Sequence, residues 1–212
     1  MSAELDACKQ SIRQSCRALR QSMPAAEREA ADAAIADAVL GLPEVREAGL
    51  MLCYLSAALE VSTRALLAAW LRQGRPLAAP RCLPGQSGRM EFRLLSSLQG
   101  LHTGPFGILE PGEDSPLAAP GADSVCVVPG WCFDRQGWRI GYGKGYYDRF
   151  LRSFAGRSVG LCYANCIKDR LPSGPWDVPV QRVVTERGVV GGSETGCVGA
   201  RAIHSQIWED TR

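Results

Sequence analysis

Residues 139–148 read Arg-Ile-Gly-Tyr-Gly-Lys-Gly-Tyr-Tyr-Asp, with glycine at three alternate positions, Gly141, Gly143 and Gly145. Glycine lets backbone N–H groups approach an anion closely, and the start of a following helix adds partial positive charge. Arg139 and Lys144 bring full positive charge to the same stretch. Asp148 stands one turn into the expected helix, where it could hold a magnesium ion between the loop and a polyphosphate. The glycines do not spell a dinucleotide fingerprint, and Lys144 is followed by Gly145 rather than Ser or Thr, so this is not a Walker loop. Taken alone, they fit a tight strand-to-helix turn equally well. Two cations, a carboxylate and several tyrosines crowded into so short a stretch favour an anion site.

Such a loop needs a strand before it and a helix after it. Residues 124–128 have a buried-strand pattern that breaks at Pro129-Gly130. Beyond the loop, Phe150, Leu151 and Phe154 mark the apolar face of a helix over 146–154, with Arg149 and Arg152 left to solvent. Upstream, 50–55 is a continuous apolar run of strand length, followed by an exit loop, a helix over 63–73 and a short strand over 77–79 ending at Pro80. Strand, helix, strand is a crossover unit, and continuous apolar strands suit a parallel sheet buried on both faces. Further strands are expected at 90–95, 158–163 and 182–185, a short helix at 164–171, and a flexible connector at 112–123. Glu60 follows the 50–55 strand, where open α/β sheets bind ligands, although on sequence alone a surface loop charge is the more ordinary reading.

Two helices come first, over 5–23 and 24–40. In the first, Leu5, Cys8, Ile12, Cys16, Leu19 and Met23 make an apolar stripe, with Lys9, Arg13, Arg17 and Arg20 beside it. Arg17 and Arg20 are expected on a solvated face. Spacing gives Lys9 and Arg13 the same ordinary reading, although residues four apart share a face and the physics permits them to clamp one anion. The expected fold is therefore α/β: a single domain over 1–187, with a largely parallel central sheet flanked by helices in an open, Rossmann-like three-layer architecture. Residues 188–212, rich in glycine and serine, are expected to be a flexible C-terminal tail.

Composition narrows the function. The chain has 212 residues, enough for one proper core, and a net charge of +2, too small to imply a nucleic-acid partner. No apolar run approaches membrane length, and residues 1–6 do not resemble a signal peptide. The nine cysteines are odd in number and include no C-x-x-C, so neither a disulfide framework nor a zinc site is expected. Cys53, Cys126 and Cys162 lie in apolar runs, as small core residues do. A reducing, cytoplasmic location is expected. The expected state is a monomer, although no residue pattern sets it.

The segment Pro129-Gly130-x-x-Phe133-Asp134, then Gly137, then 139–148 resembles the signature of the 5-formyltetrahydrofolate cyclo-ligase (methenyltetrahydrofolate synthetase) family. Earlier segments are similar to the same family: Lys9-x-x-x-Arg13, Tyr54-Leu-Ser with Glu60-Val-x-Thr63, and Gly104-Pro-Phe-Gly-Ile-Leu-Glu-Pro111. The last third departs, with Cys166 where the family usually has glutamine, Trp176 where it has histidine, and Gln181 where it has a second aspartate.

The resemblance implies ATP- and Mg2+-dependent closure of 5-formyltetrahydrofolate, possibly polyglutamylated, to 5,10-methenyltetrahydrofolate with release of ADP and phosphate. It implies that Lys9, Arg13, Arg139 and Lys144 neutralise phosphate oxygens, and that Gly141, Tyr142, Gly143, Gly145, Tyr146 and Tyr147 complete the nucleotide cradle. Asp148 and Asp177 would hold magnesium. Leu55, Glu60, Phe106, Tyr142 and Tyr146 would line the folate side. Lys144, Arg139 and Tyr146 would carry the chemistry, and His102 and His204 would have no part in it. Lys144→Ala and Asp148→Ala are each expected to lose turnover with the fold intact. The departures leave two alternatives: an ATP-dependent kinase or ligase for another small molecule, or a folate- or nucleotide-binding regulator without turnover. A thiol redox protein is a more distant reading.

Overall fold

The computed structural model describes residues 2–192 other than 84, 105 and 106. Helix α1 (Ser2–Ser22) is followed by α2 (Ala25–Gly41), which starts just after Pro24, and by the single turn α3 (Pro43–Arg46). Strand β1 (Leu50–Cys53) leads through a loop to α4 (Arg64–Arg72) and back to β2 (Leu77–Cys82). Strand β3 (Met90–Leu95) and the two-residue strands β4 (His102–Thr103) and β5 (Leu109–Glu110) follow. Then come β6 (Ser124–Val128), a hairpin of β7 (Cys132–Asp134) and β8 (Arg139–Ile140), and α5 (Tyr146–Leu151). The chain continues through β9 (Arg157–Leu161), β10 (Ile167–Lys168), β11 (Arg182–Thr185) and β12 (Gly188–Gly191).

Seven strands form one sheet in the order β12-β11-β9-β6-β1-β2-β3. The five central strands are parallel, and the edge strands β3 and β12 are antiparallel to their neighbours. Side chains alternate across this sheet, as the period of two demands. Met51, Cys53, Val125, Val127 and Val159 face a core built with Ile35, Val39, Leu66 and Trp70 of α2 and α4. Leu52, Cys126, Val128 and Val183 face a second core with Cys16 of α1, Leu151 of α5, and Cys132 and Phe133 of the hairpin. The three-layer α/β expectation holds, but the second outer layer is part helix and part hairpin.

Four local expectations change. The strand expected to end at Pro80 runs on to Cys82, because β1 reaches only Ala78 in register and a missing N–H beyond it breaks no ladder on that side. The helix expected at 164–171 is a 3-10 turn (Ala164–Cys166), after which β10 pairs with β7, and that long-range pairing overrides local propensity. The tail expected from 188 onward begins instead as β12, paired with β11. Cys8, placed on the apolar stripe of α1, is exposed.

The hairpin after β6 is pinned from within. Asp134 is wholly buried; one carboxylate oxygen accepts N–H bonds from Gln136 (3.0 Å) and Trp138 (2.9 Å), and the other accepts from Leu171 (2.9 Å). Phe133 lies against Gly160 of β9, where a Cβ would stand 2.3 Å from its ring. These residues shape the turn that delivers Arg139 and the glycine loop to the end of the sheet.

Candidate active site

The strand order reverses between β1 and β6: the chain runs outward from β1 to β2 and β3, then returns to the other side of β1. Loops leaving the carboxyl ends of two such strands diverge and open a crevice. Here they are residues 54–63 after β1 and residues 129–145 after β6. Lys9 and Arg13 of α1, Glu60 of the first loop, Arg139, Tyr142 and Lys144 of the second, Asp148 of α5 and Asp177 before β11 gather around this crevice.

On one side stands the glycine loop. Arg13 donates through Nε to the Gly141 carbonyl (2.8 Å), which ties α1 to the loop. Gly143 has φ +88°, a conformation side chains rarely adopt, and the Arg13 guanidinium lies 3.5 Å from where its Cβ would stand. Lys9 donates to Asp177 Oδ2 at 2.5 Å, and the same oxygen accepts the Gly174 N–H at 2.7 Å. Arg139, with 3% of its side chain exposed, pairs with Asp148 Oδ1 at 2.9 Å and donates to the Val178 carbonyl at 2.6 Å. The Val178 N–H reaches Asp148 Oδ1 at 3.1 Å, so Asp148 bonds to the backbone one residue after Asp177.

Lys144 is exposed, and among the described residues its ammonium has no ion-pair partner. Its carbonyl accepts from Arg149 (2.7 Å), which also reaches the Gly88 carbonyl (3.2 Å). Arg149, expected in solvent, thus latches the β2–β3 turn onto the glycine loop. Helix α5 has only six residues, so the charged side chains and loop N–H groups, rather than a long helix dipole, dominate the field here.

On the other side the two loops meet at Glu60 and Tyr142, and the space between them is called the slot below. Glu60 is buried, and its carboxylate accepts the Ala57 N–H at 2.8 Å. Burial pushes this carboxyl above the usual carboxylate range, against the opposing pull of Ala57, Tyr142 and Arg20. Tyr142 is 47% exposed as a residue, but its hydroxyl end is tucked beside Glu60; burial first, and then the Glu60 charge, hold its ionisation well above normal. Its ring packs on Trp131 at a centroid distance of 5.2 Å. Tyr146, expected on the same side, stands by the end of β2 instead; burial raises its hydroxyl's ionisation, and Cys82 and the backbone at Gly88 are its neighbours. Beside it, buried Glu110 accepts the Cys82 N–H at 3.2 Å.

Two expected contacts lie in the core, and a third falls outside the described residues. Tyr147, expected at the nucleotide, packs against both cores, and among the described residues its buried hydroxyl has no hydrogen-bond partner. Leu55, expected at the folate, is part of the core. Phe106 lies outside the described residues. Of the departures, Cys166 is fully buried beside Cys16, and Trp176 is 72% exposed under the Arg152 guanidinium. Gln181 staples β9, accepting the Ser158 N–H at 2.9 Å.

Sequence reasoning missed Arg20. Arg20 was expected in solvent but is 1% exposed. It lies eleven residues after Lys9, about three helical turns, so it falls on the face of α1 that carries Lys9 and Arg13. That spacing was the signal available.

The 5-formyltetrahydrofolate cyclo-ligase family model matches residues 6–186. A Haemophilus influenzae protein called 5-formyltetrahydrofolate cyclo-ligase is 30% identical over 176 residues, covering 81% of this chain and 94% of its own length. The Escherichia coli K12 protein of the same name is 30% identical over 178 residues, covering 82% and 96%. The NMR structure of Aquifex aeolicus 5,10-methenyltetrahydrofolate synthetase superposes with a TM-score of 0.75 at 28% identity, covering 95% of this chain and 98% of that one. A match that includes the α1 cations, the crevice loops, Asp148 and Asp177 makes this chain a member of the 5-formyltetrahydrofolate cyclo-ligase family, a family of ligases.

Proposed function

We propose that the protein closes 5-formyltetrahydrofolate to 5,10-methenyltetrahydrofolate, using ATP and Mg2+. The observation that carries this reading is the convergence of Lys9, Arg13, Lys144, Asp148 and Asp177 around one glycine loop at the crevice of the sheet. The residues present fit both ligands. Four cations face two carboxylates, so positive charge is in excess, as a polyphosphate requires. Among the described residues, Asp177 Oδ1 and Asp148 Oδ2 carry no hydrogen bond, which leaves each aspartate one oxygen for a cation. Mg2+ takes one or two carboxylates with phosphate oxygens and water, so two neighbouring aspartates suffice. When bound, it would neutralise phosphate charge as the γ-phosphoryl group moves.

An N5-formyl carbon is poorly electrophilic because nitrogen donates into its carbonyl, and oxide is a very poor leaving group. The formyl oxygen attacks the γ-phosphorus and ADP departs. N10 then attacks the activated carbon, the oxygen leaves as phosphate, and N10 loses its proton. The protein's contribution is position and charge. Lys144 and Arg13 meet phosphate oxygens. Arg139, buried in its pair with Asp148, orients that aspartate. Glu60 and Tyr142 hold the pterin edge in the slot. No protein nucleophile is needed.

The test is spectrophotometric: protein, 5-formyltetrahydrofolate and Mg-ATP, watched for the near-ultraviolet absorbance of the methenyl product. Growth dependent on ATP and Mg2+ is expected. A flat trace with folate binding confirmed by calorimetry would mean a regulator; a flat trace without binding would mean another substrate.

A further inference from the structure

We propose that Arg20 is a positioning residue for the folate side of the site: from α1 it gathers the loops after β1 and β6 and so sets Glu60 and Tyr142 on the slot. This rests on the reading of that slot as the folate side.

The guanidinium is 1% exposed and donates to three backbone carbonyls: Leu59 at 2.8 Å, Gly130 at 2.5 Å and Trp131 at 2.8 Å. Leu59 adjoins Glu60, and Gly130 and Trp131 open the hairpin that leads to Tyr142. Three carbonyl oxygens aimed at one buried point repel one another unless a cation stands there, so this loop arrangement depends on the charge. The same guanidinium lies 5.1 Å from the Trp131 ring, and Trp131 in turn packs on Tyr142. A second ring, Tyr163, stands 5.6 Å from it. Tyr163 donates to Asp32 (2.7 Å), which also accepts the Ser62 N–H (3.0 Å) at the far end of the Glu60 loop. Arg20 therefore touches both loops from a buried position. Lysine cannot copy this, because a single ammonium lacks the planar fork that spans two loops.

The experiment compares wild type, Arg20→Lys and Arg20→Met in the cyclisation assay, with KM for each substrate, kcat, and thermal melting. Both variants are expected to raise KM for 5-formyltetrahydrofolate about ten-fold or more, with KM for ATP changed less than about three-fold. The lysine variant is expected to recover part of the kcat but not the folate KM. A merely structural role would instead lower the melting temperature and the active fraction while leaving both KM values alone, and that result would overturn the proposal. If neither variant folds, Trp131→Leu decides, since it removes the ring between Arg20 and Tyr142 and leaves the carbonyl bonds in place. Selective loss of folate affinity supports the proposal, and unchanged affinity overturns it. Wild type that binds no folate refutes the functional reading itself; wild type that binds, with variants that bind equally, refutes only the role of Arg20.

Discussion

Replacing Lys144 and Asp148 separately by alanine should have two different consequences, although both residues sit at the same glycine loop. The Lys144 ammonium has no ion-pair partner among the described residues, and the bond from Arg149 goes to its backbone carbonyl, which alanine keeps. Loss of an exposed, unpaired side chain changes stability by within about 0.5 kcal/mol. One charge-assisted bond to phosphate is worth about 1.5–3 kcal/mol, which is roughly 10- to 150-fold in kcat/KM at about 1.4 kcal/mol per decade. Asp148 differs because its carboxylate answers Arg139, whose side chain is 3% exposed, and the Val178 N–H. Breaking a buried pair from one side costs about 3–5 kcal/mol. Asp148 is 25% exposed and Arg139 keeps the Val178 carbonyl, so the lower end of that range or less applies. At about 2–4 °C per kcal/mol for a chain of this size, Asp148→Ala should melt roughly 4–10 °C lower. This revises the expectation from sequence that both variants keep an intact fold. The assay is methenyl formation alongside scanning fluorimetry. Wild-type melting of Asp148→Ala, or undiminished kcat/KM in Lys144→Ala, would refute the reasoning.

Gly141 has nothing within 4 Å of where a Cβ would stand, so Gly141→Ala should melt like wild type; an ATP affinity weakened about ten-fold by calorimetry would mean that the methyl group fills ligand space. For Glu60, whose carboxyl is raised by burial above its ordinary 4.5, the native protein binds more protons than the unfolded chain between 4.5 and the raised value. Stability should therefore fall as pH rises through that interval; Glu60→Gln should flatten the fall in a pH series of melts while raising KM for folate, and an unchanged slope would contradict it. Of the eight described cysteines, only Cys8 and Cys82 are not buried, and Cys132 beside Cys16 holds that thiol up to about 11. A thiol reagent at pH 8 should label those two in the folded protein and reach the six buried ones only on unfolding, as peptide mapping would check.

Legibility in the sequence tracked the range of the interaction. The Ser124–Val128 strand, the break at Pro129 and the glycine loop depend on residues adjacent in sequence, and each stands where expected. The 3-10 turn, β10 and β12 depend on partners far along the chain and were missed for that reason. Within the family signature, the sequence could not separate scaffold from contact. Asp134 and Phe133 prove to shape the hairpin, whereas Gly143 and Lys144 are left facing the crevice.

By itself the sequence determined a parallel α/β sheet, a cationic glycine loop after one of its central strands, and paired cations one helical turn apart on α1. These are matters of period, of chain reach and of which backbone can come close to an anion. Only the tertiary structure decided which face of α1 is buried. Periodicity ranks Lys9, Arg13 and Arg20 as a solvated stripe, because charge prefers water. Docking α1 across the ends of β1 and β6 gave Lys9 a carboxylate 168 residues away, Arg13 a loop carbonyl, and Arg20 three more. Those partners replace water, and no local pattern along α1 could have announced them.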